Sequence, residues 1–162
     1  MTAPRGPLAY RIQLKLKPAY RARVEPATLR AAARVALKQQ VAPAPSEVTV
    51  MIAGDSDLRA LNRQFLGHDR PTDVLSFPAR DPDPTTGRLY LGDIAISYPQ
   101  ARASALRGGH TVRAELQLLI VHGVLHLLGH DHAESAEKAR MWADQVAILK
   151  ILRSSIAGPS GD

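Results

Sequence analysis

Three histidines at metal-ligand spacing are the residues of this chain best suited to chemistry. They are His122, His126 and His132, in the segment HGVLHLLGHDH. Residues four apart on an α-helix project from the same side, so His122 and His126 can share one ion. Gly129 can take the left-handed conformation that ends a helix, which allows the chain to fold back and offer His132. Three neutral imidazoles leave a fourth position for water, the arrangement of a catalytic rather than a structural zinc ion.

The alternative is that these are hydrogen-bonded histidines of the core. However, half of the six histidines in the chain occupy these three positions. Burying several imidazoles among leucine and valine is costly unless each has a partner, and one ion can partner all three. The residues between Gly129 and His132 are predicted to have other roles. His130 is predicted to lie beside the turn without binding the ion, and Asp131 is predicted to orient a ligand imidazole.

Gly123 separates this segment from the zinc proteases. Their helix has the spacing HExxH, and Gly123 stands where that motif needs its glutamate base. The protease chemistry is therefore excluded. Two explanations of Gly123 remain open, namely close helix packing and room for substrate or another chain segment beside the metal.

Hydrophobic patterning predicts the elements that position the histidines. Alternating and β-branched runs predict strands at residues 8–16, 47–53, 72–78 and 88–97, with a mobile loop at 79–88. Helical spacing predicts helices from residue 26, at 55–65 with Asp55 as its cap, and at 97–107, 111–128 and 133–152. The helix at 111–128 is apolar on nearly all sides and should run through the core. The predicted fold class is α+β (α/β-like), a mixed sheet of about four strands packed with four to five helices, with the metal site at the end of a buried core helix.

Length and composition indicate one soluble domain. The 162 residues suit a single domain spanning 1–162, with 153–162 a loose tail. The longest apolar region, 116–128, is too short for a membrane span, and the N-terminus lacks the apolar stretch of a secretion signal, so a cytoplasmic location is expected. Without cysteine there is neither a disulfide nor a thiolate metal ligand. The net charge of +6 favours polyanionic partners.

The chain resembles a known family in three segments. HGVLHLLGHDH matches the signature HGxLHLxGxDH, and LNRQFLGHDRPTDVLSFP at 61–78 and LGDI at 91–94 match two further motifs in the same order. These motifs resemble the YbeY family of bacterial rRNA maturation factors, which are single-strand-specific metal-dependent endoribonucleases. The resemblance spans residues 61–132, and the N-terminal part fits only in its general pattern.

The resemblance implies one Zn²⁺ on His122, His126 and His132, and a role in maturing the terminus of small-subunit rRNA and in ribosome quality control. The implied partners are single-stranded RNA, ribosomal RNA and ribosomal particles, with no membrane and no small organic cofactor. One departure is Leu66, because many members carry arginine immediately before the glycine of the second motif. Arg63 or Arg70 could supply that charge.

Several residues are candidates for phosphodiester chemistry. A zinc ion can polarise a phosphoryl oxygen or lower the pKa of a bound water from about 16 to near 7. Either that water or the ribose hydroxyl of the substrate could attack, and both remain open. Arg63, Arg70 and Arg88 could bind phosphate, although each alone is more simply explained as a solvated surface charge. Structural roles are favoured for four residues near the predicted strands, with Asp93 needing a partner such as a ligand histidine: Thr72, Asp73, Ser76 and Asp93.

Two other functions stay open. One is a ribosome assembly or binding factor whose zinc is mainly structural, which Leu66 favours. The other is a hydrolase of a different phosphoester or amide, which rests only on the open zinc position.

Overall fold

The fold is built on a mixed four-stranded sheet. The computed structural model describes residues 9–130 and 133–156. Its strands are β1 (Tyr10–Leu16), β2 (Ser46–Ala53), β3 (Val74–Pro82) and β4 (Leu89–Ser97). They lie in the order β1-β2-β4-β3, with β1, β2 and β4 parallel and β3 antiparallel to β4. The predicted mixed sheet is confirmed.

Helices cover both faces of this sheet. Within the described residues there are five α-helices and an unpredicted 3₁₀ helix at Pro18–Arg23. The α-helices are α1 (Pro26–Gln39), α2 (Asp55–Leu66), α3 (Tyr98–Gly108), α4 (Val112–Leu127) and α5 (Ser135–Ile151). Because side chains alternate along a strand, the isoleucines and valines of β2 and β4 pack on the side of α1 and α4, and the intervening alanines pack against α2. The predicted α+β class is confirmed.

Helix α4 runs through the core, as its composition predicts. Twelve of its sixteen residues are buried, and α1, α3 and α5 all pack against it. Its C-terminal end is closed by two backbone hydrogen bonds, from Gly129 to the His126 carbonyl (3.0 Å) and from His130 to the Leu125 carbonyl (3.0 Å). Gly129 has φ +96°, so the predicted left-handed turn is confirmed as a Schellman-type end.

The predicted loop at 79–88 is wrong in its first half. Strand β3 continues to Pro82, where Asp81 and Pro82 pair with Tyr90 and Leu89 of β4. Proline is tolerated there because β3 is an edge strand of the sheet. The connecting turn is short, and the Asp83 carboxylate accepts a hydrogen bond from the Thr85 N–H (2.8 Å).

The predicted cap of α2 is also corrected. Gly54 is the N-cap, and Asp55 is the first helical residue, whose carboxylate accepts a hydrogen bond from the Ser97 hydroxyl (2.6 Å). The capping acceptor is the carboxylate of Asp57, which lies 3.0 Å from the Gly54 N–H. A hydrogen bond from the Lys17 ammonium lowers the pKa of Asp57. A carboxylate in the first turn satisfies helix-end N–H groups as well as a cap residue does.

The chain beyond α5 is described only as far as residue 156. Of the predicted tail at 153–162, residues 153–156 are described. Ile156 is buried against the core. In the described ranges, no helix has both the length and the apolar character needed to cross a membrane.

Candidate metal centre

His122 and His126 face each other on the last turns of α4. Their Nε2 atoms are 3.0 Å apart, and their ring centroids are 4.6 Å apart. Two ring nitrogens at this distance need a hydrogen between them, and an ion held by both would take the place of that hydrogen. Two nitrogen ligands of one tetrahedral zinc, each at about 2.0–2.1 Å, lie roughly 3.3 Å apart. The spacing of the two nitrogens therefore fits a shared metal ion.

The orientation of His122 is set from α5. Its Nδ1 lies 3.1 Å from Oε1 of Gln145, a residue that is only 3% exposed. A carbonyl oxygen can only accept a hydrogen bond, so a hydrogen bond at this contact requires the proton on Nδ1. Sequence reasoning missed Gln145. A signal was present, because Met141, Gln145, Ile148 and Leu149 form one helical stripe in which glutamine is the polar member.

The remaining predicted site residues of this segment, Asp131 and His132, lie outside the described residues. Their roles as orienting carboxylate and third ligand stay predictions. Within residues 9–130 and 133–156, no group of three or more histidine, cysteine, aspartate or glutamate side chains is arranged to hold a metal ion. His122 and His126 are the predicted ligands that the structure describes.

His130 lies beside the turn, as predicted, and contacts other elements. Its Nε2 is 2.8 Å from Oε1 of Gln40, at the end of α1, and 3.8 Å from the Asp144 carboxylate of α5. His130 therefore ties the end of α4 to its neighbouring helices.

Gly123 explains how closely α4 approaches the sheet. A Cβ atom at Gly123 would lie 2.8 Å from Cγ2 of Ile94 in β4, and Ile94 is completely buried. Of the two explanations offered by the sequence, close packing is the one that this contact supports.

Gly92 is the point where the three sequence motifs meet. Its φ is +134°, and a Cβ there would lie 2.2 Å from the Phe77 carbonyl oxygen and 2.9 Å from Leu127 Cδ2. Phe77 belongs to the second motif, and Leu127 directly follows His126. A register shift beside Gly92, between the pairs Glu47–Tyr90 and Val48–Gly92, marks a β-bulge in β4. The motifs are thus parts of one packed unit around the histidine helix.

Among the described residues, the partner of Asp93 is Tyr90 rather than His122 or His126, which corrects that expectation. Its carboxylate accepts a hydrogen bond from the Tyr90 hydroxyl, whose oxygen is 2.8 Å from the Thr49 hydroxyl. The reason is strand alternation: Ile94 faces α4, so Asp93 faces the opposite side of the sheet. The main chain of Asp73 has a bracing role, since its carbonyl accepts the Ser97 N–H (2.9 Å).

The Tyr90 hydroxyl gives a prediction about alkaline stability. Burial, together with donation to Asp93, raises the pKa of Tyr90 to about 12. The folded state therefore holds this proton more tightly than the unfolded state, whose tyrosine pKa is about 10. This stabilisation is complete below about pH 10 and is lost as the pH rises towards about 12. Urea unfolding near pH 10 and near pH 12 should show a smaller loss of stability in Tyr90→Phe than in the wild type, and equal losses would contradict this assignment.

Of the predicted phosphate-binding arginines, Arg63 lies in the last turn of α2, Arg70 in the connection from α2 to β3, and Arg88 in the β3–β4 turn. Arg63 and Arg70 are exposed, and the buried Asn62 side chain fixes the Arg70 carbonyl (3.1 Å). Leu66, at the position where the resemblance predicts an arginine, is 53% exposed. The Arg88 guanidinium donates to the Ser46 carbonyl (3.3 Å), which gives this side chain a structural contact.

Comparison with known proteins decides the family. The family model described as Endoribonuclease YbeY matches residues 13–153. The chain belongs to the endoribonuclease YbeY family. Membership places it among nucleases that cleave RNA internally, and the match includes the histidine pair and both other motifs.

Individual relatives agree with this assignment. The YbeY endoribonuclease of Roseiflexus sp. (strain RS-1) is 41% identical over 147 residues, which cover 87% of this chain and 92% of that protein. The YbeY endoribonuclease of Chloroflexus aurantiacus is 48% identical over 130 residues, 76% of this chain and 83% of that protein. The solution structure of TM1509 from Thermotoga maritima has a TM-score of 0.56 at 23% identity, covering 93% of this chain and 99% of that one. At that identity the last comparison supports the fold alone.

Proposed function

We propose that this YbeY-family protein is a zinc-dependent endoribonuclease that acts on single-stranded RNA. The proposed task is maturation of the small-subunit rRNA terminus and ribosome quality control, in the cytoplasm and on ribosomal particles. The observation that carries the proposal is the 3.0 Å contact between the Nε2 atoms of His122 and His126, in a chain of an endoribonuclease family.

Three histidines would hold the metal. His122 and His126 offer nitrogens from one side of α4, and His132 would be the third ligand, with Asp131 orienting an imidazole. All three are nitrogen ligands of the kind zinc prefers, and three ligands leave one position open. Bound zinc would supply a Lewis acid for the phosphoryl oxygen of the scissile bond. The chain contributes the fixed ring of His122, held by Gln145, and the rigid packing of α4 against β4.

RNA would be held by charge. The chain carries 21 lysines and arginines against 15 acidic residues, and phosphate contacts dominate the affinity of such proteins for RNA. Arg63 and Arg70 are the proposed phosphate contacts, because both are exposed and belong to the second motif, whose strand β3 packs against α4. The Asp69 carboxylate between them is already paired with Arg59 at 2.8 Å, which limits its repulsion of phosphate.

The experiment that tests this function is removal and return of zinc. The protein is stripped with a chelator and assayed on a single-stranded RNA carrying the small-subunit rRNA terminus and on the same sequence in a duplex. We expect cleavage of the single strand to disappear on stripping and to return with one equivalent of Zn²⁺, while circular dichroism shows a retained fold. Unchanged cleavage after complete metal loss would contradict the proposal.

A second function is favoured by Leu66. An exposed leucine where the family usually carries arginine would suit an assembly factor that docks on ribosomal particles and uses zinc mainly for folding. In that case chelation unfolds the protein, and the zinc-loaded protein binds ribosomal particles without cleaving RNA. The stripping experiment therefore separates the two functions.

A further inference from the structure

Helix α5 presents a buried glutamine to the histidine pair. Gln145 is 3% exposed, and its neighbours on the same face of α5, Met141, Ile148 and Leu149, are buried in the apolar core. An amide in such surroundings is costly unless it is hydrogen-bonded. Its oxygen lies 3.1 Å from Nδ1 of His122, so the buried position of Gln145 is matched by a specific partner.

We propose that Gln145 is a positioning residue that fixes the tautomer and ring orientation of His122. In the neutral ring, Nδ1–H donating to the amide oxygen leaves Nε2 unprotonated, so that it accepts from Nε2 of His126, 3.0 Å away. A ring in the other tautomer would have to lose that hydrogen before it could bind a metal ion. The inference rests on the proposed zinc site, and it assigns to a neutral side chain the part that a carboxylate or backbone carbonyl commonly plays.

The choice of an amide has an electrostatic consequence. The preceding residue on the chain, Asp144, is acidic, but its carboxylate lies 3.8 Å from Nε2 of His130. Because the acceptor at His122 is the neutral amide of Gln145, it orients the ring without adding negative charge. A divalent cation held by neutral imidazoles keeps its full charge, which favours an anionic phosphodiester.

Two substitutions and one matched control test the role of Gln145. Gln145→Met keeps the approximate volume and removes the acceptor, while Gln145→Glu keeps an acceptor. Gln40→Met makes the same chemical change at the glutamine that contacts His130 (2.8 Å). His130 is not one of the proposed metal ligands.

The first measurement uses zinc-free protein. Nitrogen-15 NMR of the imidazole rings is recorded about two pH units above the usual histidine pKa of about 6.5, where the rings are neutral. Wild type and Gln145→Glu should show His122 protonated at Nδ1, and Gln145→Met should show a mixture of tautomers. The second measurement is zinc affinity by chelator competition, which should fall about 10- to 100-fold in Gln145→Met. It should be largely preserved in Gln145→Glu and Gln40→Met.

Three results would overturn the inference. One is a wild-type spectrum with His122 protonated at Nε2, which needs no variant and so holds even where Gln145→Met fails to fold. Another is an unchanged tautomer together with unchanged zinc affinity in folded Gln145→Met. The third is an equal loss of zinc affinity in Gln40→Met. Failure of the wild type to bind zinc would instead reject the proposed function, while the zinc-free spectra would still judge Gln145.

Discussion

Replacing His126 with alanine should abolish tight zinc binding and, with it, cleavage of single-stranded RNA. The substitution removes one of two Nε2 atoms that lie 3.0 Å apart. Loss of a hydrogen-bond partner of a metal ligand already costs about 10- to 100-fold in affinity, so loss of the ligand itself should cost more than about a hundredfold. The imidazole of His126 is only partly buried, so the zinc-free variant should fold. Metal content, chelator competition and RNA cleavage are measured on the same preparation.

His68→Ala is the matched control for zinc binding. His68 is exposed in the connection between α2 and β3, and its replacement should leave zinc affinity unchanged. The account fails if His126→Ala loses its zinc and still cleaves RNA as the wild type does. It also fails if His68→Ala loses as much zinc as His126→Ala.

Replacing Gly92 with alanine should destabilise the protein severely or prevent its folding. The new Cβ would lie 2.2 Å from the Phe77 carbonyl oxygen, and the backbone has φ +134°. Overpacking costs about 1–3 kcal/mol, and a strained backbone conformation adds about 1–3 kcal/mol. The obstructing atom belongs to the main chain of β3, which pairs with β4 at this position, so it cannot swing aside. The free energy of unfolding in urea is measured on zinc-free protein.

Gly87→Ala provides the comparison at a glycine of positive φ that has no close neighbour. Gly87 has φ +70°, and a Cβ there would meet nothing within 4 Å. This variant should lose only about 1–2 kcal/mol, the cost of a left-handed residue that carries a side chain. Equal losses in Gly87→Ala and Gly92→Ala would show that the approach of β3 and α4 at Gly92 contributes nothing.

Local patterns predicted most of the fold. Helix α4 was predictable because apolar residues surround it, and its end was predictable from Gly129. The length of β3 was not, since Pro82 and the polar residues before it belong to a strand only through pairing with Tyr90 and Leu89 across the hairpin. The cap of α2 was misassigned because Asp55 and Asp57 are both able to accept, and tertiary contacts with Ser97 and Lys17 decide which does so.

The candidate site was predictable where it depends on helical spacing. His122 and His126 follow from that spacing alone. Gln145 does not, because its contact with His122 depends on how α5 packs against α4. For Asp93 a usable signal existed: Ile94 and Ile96 face the core, so the alternation of β4 already directs Asp93 to the other side of the sheet.

The most direct test of a metal centre on α4 is anomalous diffraction at the zinc absorption edge from crystals of the zinc-loaded protein. We predict one strong peak bonded to Nε2 of His122 and of His126 and to the ring of His132, at distances of about 2.0–2.1 Å. A map with no peak at the histidine pair, or with zinc bound elsewhere while the two Nε2 atoms keep their 3.0 Å contact, would contradict it.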